Sequence, residues 1–208
     1  LPQADAISLL SAYGIAAPRI DTVLGAGDLA AAGSAVGFPC VLKVDSADVV
    51  HKSDEGGVVL GVADQAALAQ AFAAMEDRFK GRNATFVVQE QRPPGREIIV
   101  GATESPGLGS LVMFGLGGIF VEVMKDVAFA LAPLSRPEAR EMMRSIRGFP
   151  VLEGMRGEAG VDLDAAEDLL LRVSRLAADF QSITEMDLNP VFAYPDGVAA
   201  VDVRVKVR

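Results

Sequence analysis

Chemically capable residues concentrate in two stretches of the chain. The first is the loop His51-Lys52-Ser53-Asp54-Glu55-Gly56-Gly57, which carries the only histidine and follows the apolar run Pro39 to Val44, with Lys43 near its far end. Gly57 to Val62 is β-branched and glycine-punctuated, so Gly37 to Val62 reads as two short strands joined by a polar loop. Two glycines let backbone amides converge on an anion, and lysines on either side compensate phosphate charge, which makes the loop a candidate phosphate cradle. No Gly-Lys-Ser/Thr leads into a helix, so it is neither a P-loop nor a Rossmann turn. The same residues also fit an exposed hairpin tip.

The second stretch is terminal: Glu185-Met186-Asp187-Leu188-Asn189-Pro190 on one segment and Val201-Asp202-Val203 on another. Along a strand, side chains alternate, so Asp187 and Asn189 share a face while Met186 and Leu188 take the other. Tyr194-Pro195-Asp196-Gly197 is a turn signal. A two- or four-residue loop there sets Asn189 opposite Asp202 with side chains about 5 Å apart, a pair of hard oxygen donors suited to Mg²⁺. A three-residue loop with a bulge at Gly197 puts them on different faces, and the pattern then describes only a solvated edge hairpin. Taken by themselves, Glu90 and Glu97 read as surface acids.

These segments need a scaffold. At 208 residues the chain suffices for one large or two small domains, and its net charge of −9 disfavours nucleic acid and anionic membrane as partners. No apolar run approaches the ~18 to 20 residues of a membrane span. One cysteine excludes an intrachain disulfide, Cys40 reads as a packed thiol, and no signal peptide is recognised, so the cytoplasm is the expected compartment.

In chain order, spacing predicts a helix over 5–13, an extended segment over 18–24, and an alanine-rich helix capped by Asp28 and ended by Gly37. After the two strands, Asp64 caps a helix with the stripe Leu68, Phe72, Met75 and Phe79, and Thr85 to Gln89 is a third strand. Gln89 to Gly95 contains two prolines and is a candidate domain joint. Strands are expected over 97–102, 111–114, 120–123 and 127–131, with a turn at Gly115 to Gly118. Helices follow over about 136–147 and 164–181, the second with Leu169, Val173, Leu176 and Phe180 as its buried stripe. The hairpin 185–193 against 198–207 closes the chain. The expected architecture is α+β: a helical segment 1–18, a β-α-β-type lobe 19–92 and a second α+β lobe 93–208, with ligand in the cleft between lobes.

Taken together in order, Lys43, the His-Lys-Ser-Asp-Glu-Gly-Gly loop, the Gln-Glu joint, Gly95-Arg-Glu97-Ile-Ile-Val-Gly, Met113-Phe-Gly-Leu-Gly-Gly-Ile-Phe-Val-Glu122 and Glu-Met-Asp187-Leu-Asn189-Pro-Val resemble the ATP-grasp domain of ADP-forming acyl-CoA synthetases, relatives of the succinyl-CoA synthetase β chain. The likeness spans nearly the whole chain. It implies the ATP-grasp fold, with residues 1–18 packed on the large lobe, and ATP/ADP with Mg²⁺ as cofactors. It further implies that Lys43 touches nucleotide phosphates, that Gly56 and Gly57 lie in the covering loop, that backbone at Glu90, Gln91 and Arg92 meets adenine, and that Glu97 lies near the ribose. Asn189 and Asp202 match magnesium ligands. His51 matches a phosphate-carrying histidine supplied by a histidine of the CoA-binding partner, and Asp187 an acid that meets phosphohistidine at the nucleotide site. Imidazole is nucleophilic near neutral pH, and a carboxylate can orient it.

Nothing here resembles the CoA-binding, acyl-transferring half, so the resemblance implies a CoA-ligase α-type subunit or domain as partner, with carboxylate and CoA reaching the reaction through it. The competing reading is a regulatory nucleotide- or ligand-binding module of a larger acyltransferase. A weaker one is a carboxylate–amine ligase, which would not need His51.

Overall fold

Alternating apolar residues form the strands of this chain, helices of 3.6-residue period cover them, and glycine or proline marks several of the turns between. The computed structural model describes residues 1–208 except 47, 50, 51, 119–124 and 156. Within it the chain forms two units, Pro2–Asp5 with Pro18–Pro93, and Leu1 with Ala6–Ala17 and Pro94–Arg208.

The smaller unit is a four-stranded antiparallel sheet in the order β1-β4-β2-β3, made of β1 Ile20–Val23, β2 Cys40–Asp45, β3 Val58–Val62 and β4 Thr85–Glu90. Helix α2, Leu29–Val36, carries the chain from β1 to β2, and α3, Gln65–Arg78, carries it from β3 to β4. Each joins two strands that flank a common neighbour, so both crossovers are split β-α-β units. Cys40, Leu42, Val44, Phe86 and Val88 face the helices and bury Leu68, Phe72, Met75 and Phe79. Phe72 meets Phe86 edge to face at 5.0 Å, a geometry that contributes about 1 kcal/mol beyond the area buried. Burial pushes the Cys40 thiol up, as befits a packed cysteine. Asp64 caps α3 by accepting from Ala67 N at 2.8 Å. Asp28 instead accepts from Leu24 N and Gly25 N, closing the 3-10 turn Ala26–Asp28 before α2.

The larger unit contains β5 Arg96–Ser105, β6 Gly109–Leu116, β7 Val127–Leu131, β8 Ile183–Tyr194, β9 Gly197–Ala200 and β10 Val203–Val207. Their antiparallel order is β10-β8-β5-β6-β7, with β9 also on β8. One face is covered by α4 Arg136–Ser145, α5 Phe149–Glu153 and α6 Leu163–Asp179; Ala6 and Leu10 of α1, Gln3–Ala12, join the same core. Strands β5 and β6 outrun the expected spans because a turn at Pro106-Gly107-Leu108 lets the hairpin pair to its tip, Ser105 opposite Gly109. Gly115 and Leu116 accordingly belong to β6 rather than to a turn. The expected strand over 120–123 lies outside the described residues. Asp162, two residues ahead of the expected start of the helix, caps α6 by accepting from Ala165 N at 2.9 Å. Phe180 lies past that helix, 42% exposed, against Tyr13. The expected last strand is interrupted at Val201 and Asp202, whose amides both donate to Pro190 O, while Pro190 has no N–H to return.

Candidate functional site

In the smaller unit, β2 sends Cys40, Leu42 and Val44 into the core, so Val41 and Lys43 take the opposite face by the two-residue period. Lys43 pairs with Val87 on β4 and Val58 on β3, and only 5% of it is exposed. Burial of an ammonium group is costly, so sequestering one here points to a role beyond solubility.

The loop after β2 differs from the cradle its glycines suggest. Gly57 N donates to Lys52 O at 2.6 Å and Gly56 N to Ser53 O at 3.2 Å, so both amides are spent inside the loop. Gly56 is present for a left-handed φ of +70°; at Gly57 a Cβ would stand 2.4 Å from Val44 Cγ1 and 3.0 Å from Lys52 O. Arg82 ties the loop to the end of α3, donating to Glu55 Oε2 at 2.5 Å and Asp48 O at 2.7 Å. His51 lies outside the described residues.

At the joint, Glu90 Oε2 accepts from Arg19 N at 3.2 Å and Arg19 Nε at 3.3 Å, with Arg92 at 3.7 Å. Burial pushes that carboxyl up, but the Arg19 backbone bond, the Arg92 charge and the Arg19 side chain together hold it below the usual range. Gln91 Oε1 accepts from Gly61 N at 2.6 Å. Both side chains therefore knit the joint to its neighbours. Arg92 Nε is buried without an acceptor.

In the larger unit the hairpin loop is Pro195-Asp196, since Tyr194 pairs with Gly197. That two-residue connection keeps one register through the break in the last strand: Val191 faces Ala200 and Val203 faces Leu188. Asn189 thus lies across from Asp202, and its N–H donates to Asp202 O at 3.2 Å. Met186, Leu188, Val203 and Val205 point into the core, so Asp187, Asn189, Asp202 and Arg204 share the other face. They form a square, with Arg204 opposite Asp187. Lys206 is spent on Glu185 at 2.5 Å, one step further along.

Asp187 is the strained member. Its Oδ1 is buried and has no hydrogen-bond partner. Burial, then the charges of Glu185 and Asp202, push its carboxyl up against the opposing pull of Arg204. Across β5 it faces Gly101, where a Cβ would lie 3.0 Å from Met186 O and 3.9 Å from Asp187 Oδ1. Glu97, on the same face of β5, opposes Phe192 and lies over Gly117 and Gly118; a Cβ on Gly118 would come within 2.8 Å of its Oε2.

This donor set fits Mg²⁺. Asn189 and Asp202 are oxygen donors on paired positions, and Asp187 adds a buried oxygen that no protein donor satisfies. Among the described residues no group of three or more His, Cys, Asp or Glu makes a complete protein cage, and Mg²⁺ does not need one when phosphates and water fill its octahedron. Sequence reasoning missed Arg204 and Arg82. Arg204 was signalled by the alternation Asp202, Arg204, Lys206; Arg82 had no local signal, because its partners are 27 and 34 residues away.

Two interleaved crossovers in one unit, and an oxygen-rich sheet face in the other, define an ATP-grasp protein. The family model described as an ATP-grasp domain matches residues 1–207. The chain belongs to this family, in the branch of the β subunits and β-type regions of ADP-forming acetate–CoA ligases. It is 37% identical to the β subunit of acetate–CoA ligase [ADP-forming] I of Pyrococcus furiosus, over 99% of this chain and 90% of that one. It is 43% identical to acetate–CoA ligase [ADP-forming] I of Archaeoglobus fulgidus, covering 97% of this chain but only 30% of that longer protein. Among solved structures, a chain of the dinucleotide-forming acetyl-coenzyme A synthetase 1 of Ca. Korarchaeum cryptofilum, in complex with coenzyme A, Ca-AMPCP and HgCl+, superposes with a TM-score of 0.95 at 39% identity, covering 100% of this chain and 93% of that chain. The same synthetase has been solved with Mg-AMPPCP and a phosphohistidine segment pointing towards the nucleotide-binding site.

Proposed function

We propose that this chain is the nucleotide-binding half of an NDP-forming acyl-CoA synthetase, an acid–thiol ligase, acting in the cytoplasm with a CoA-binding α-type subunit or domain. It moves phosphate reversibly between ATP/ADP and phosphohistidine, coupled to acyl-CoA formation or cleavage on that partner, where the carboxylate and CoA bind. The observation that carries this reading is the Asp187, Asn189, Asp202 face, in a chain that matches 90% of a β-subunit relative's length. The nucleotide and metal complexes of the Korarchaeum synthetase support it.

In this reading Lys43 compensates phosphate charge and the Gly56-Gly57 loop supplies shape rather than amide donors. Backbone at Glu90, Gln91 and Arg92 meets adenine while the Glu90 and Gln91 side chains hold the joint. Glu97 accepts from ribose hydroxyls. Asn189 and Asp202 hold Mg²⁺, which, when bound, neutralises charge developing on the phosphates. Asp187 accepts the N–H of an imidazole and so presents its other nitrogen to phosphorus. As the bond from phosphorus to the ADP oxygen breaks, the bond to imidazole nitrogen forms; in the reverse direction ADP takes the phosphoryl group back. His51 carries the phosphoryl group between this nucleotide and the partner's histidine.

The test supplies the CoA-binding half, labelled ATP, CoA and a carboxylate. Wild type should acquire acid-labile, base-stable label, and His51→Ala and His51→Asn should lose both label and turnover by about 100-fold or more with nucleotide affinity unchanged. Full turnover in both variants would remove His51 from the relay.

A further inference from the structure

The outer face of the larger sheet has a direction. Along β5 it presents Glu97, Ile99, Gly101 and Thr103; along the β8–β10 pair it presents Asn189 with Asp202, then Asp187 with Arg204, then Glu185 with Lys206. The β5–β8 register shifts between Ile98 and Val100, so Asn189 and Pro190 together oppose Ile99, and Gly101 opposes Asp187. From Glu97 to Gly101 the strand advances about 13 Å. Taking Glu97 as the ribose end and Asn189–Asp202 as the metal pair, which rests on the function proposed above, the phosphate chain runs towards Asp187 and Arg204.

At that step the face has a chemical problem. A terminal phosphoryl group arriving beside Asp187, with Glu185 and Asp202 as neighbours, meets carboxylates on three positions. Lys206 stands one step beyond, across from Glu185 rather than Asp187. The cation directly across the ladder from Asp187, and two residues from Asp202 on the same face, is Arg204. A guanidinium presents a planar fork of donors that matches phosphate oxygens and keeps its charge at every working pH.

We propose that Arg204 contacts the terminal phosphoryl group, so that it is a further catalytic residue and distinguishes a nucleoside triphosphate from a diphosphate. Calorimetric titration of the complete protein with Mg-AMPPCP and with Mg-ADP separates this role from a structural one, because a packing defect weakens both ligands alike. Arg204→Met, which keeps an apolar stem, should lose about 10- to 100-fold in affinity for Mg-AMPPCP while Mg-ADP affinity stays within about twofold. Arg204→Lys, which keeps charge without the fork, should fall between. If Arg204→Met does not fold, a selective loss for Mg-AMPPCP in Arg204→Lys supports the role, and equal affinities for wild type and that variant overturn it. Equal losses for the two ligands, or none, in folded Arg204→Met also overturn it while leaving the nucleotide site standing. Absence of Mg-dependent binding of either ligand to wild type would overturn the site and the role of Arg204 together.

Discussion

Asp187 carries a cost in the unliganded protein that Arg204 opposes. Its Oδ1 is buried without a donor, and its carboxyl is pushed up by burial and by Glu185 and Asp202. Asp187→Asn keeps the shape and removes the charge, so the unliganded variant should be more stable near neutral pH, by about 1 kcal/mol or 2–4 °C in unfolding midpoint for a chain of this size. With a folded pKa above the unfolded one, the native state holds its proton more tightly. The advantage of the variant is therefore largest above the raised pKa and vanishes below the ordinary Asp value of about 3.9. A thermal melt showing a lower midpoint for Asp187→Asn at neutral pH would mean that this carboxylate is structural.

The hairpin and the 52–57 loop show what was legible in the sequence at the level of elements. Asn189 opposite Asp202 was readable because Pro195-Asp196 is a turn signal and strand alternation does the rest. The break at Val201 and Asp202 was harder to read, since it depends on both amides reaching one Pro190 carbonyl. The stripes on α3 and most of α6 followed from period, whereas α5, five residues beginning Phe149-Pro150, is too short to show one. At the loop, the glycines were visible but their purpose was not: sequence cannot tell an amide aimed at an anion from one bonded to Lys52 O. Gly57→Ala must push on Val44 and the Lys52 carbonyl, so it should destabilise the smaller unit by about 1–3 kcal/mol in denaturant unfolding, the usual cost of overpacking. An unchanged midpoint would mean that the loop has room and that its glycine serves another end.

For the whole molecule, charge sets the terms on which a polyanionic ligand is bound. A chain of net charge −9 repels nucleotide phosphates at long range, so affinity has to come from local cations and a metal ion rather than from a basic surface. Among the described residues no helix is long and apolar enough to cross a membrane. The division into two units gives each its own core, one behind Lys43 and the other behind the Asp187, Asn189, Asp202 face. Magnesium-dependent nucleotide binding tests the central claim most directly. In calorimetric titration, ADP should bind wild type with Mg²⁺ and about 10- to 100-fold more weakly without it; Lys43→Ala should lose a similar factor, and Asn189→Ala with Asp202→Ala should abolish the effect of the metal. Equal ADP affinity with and without Mg²⁺, unchanged in all these variants, would contradict the account.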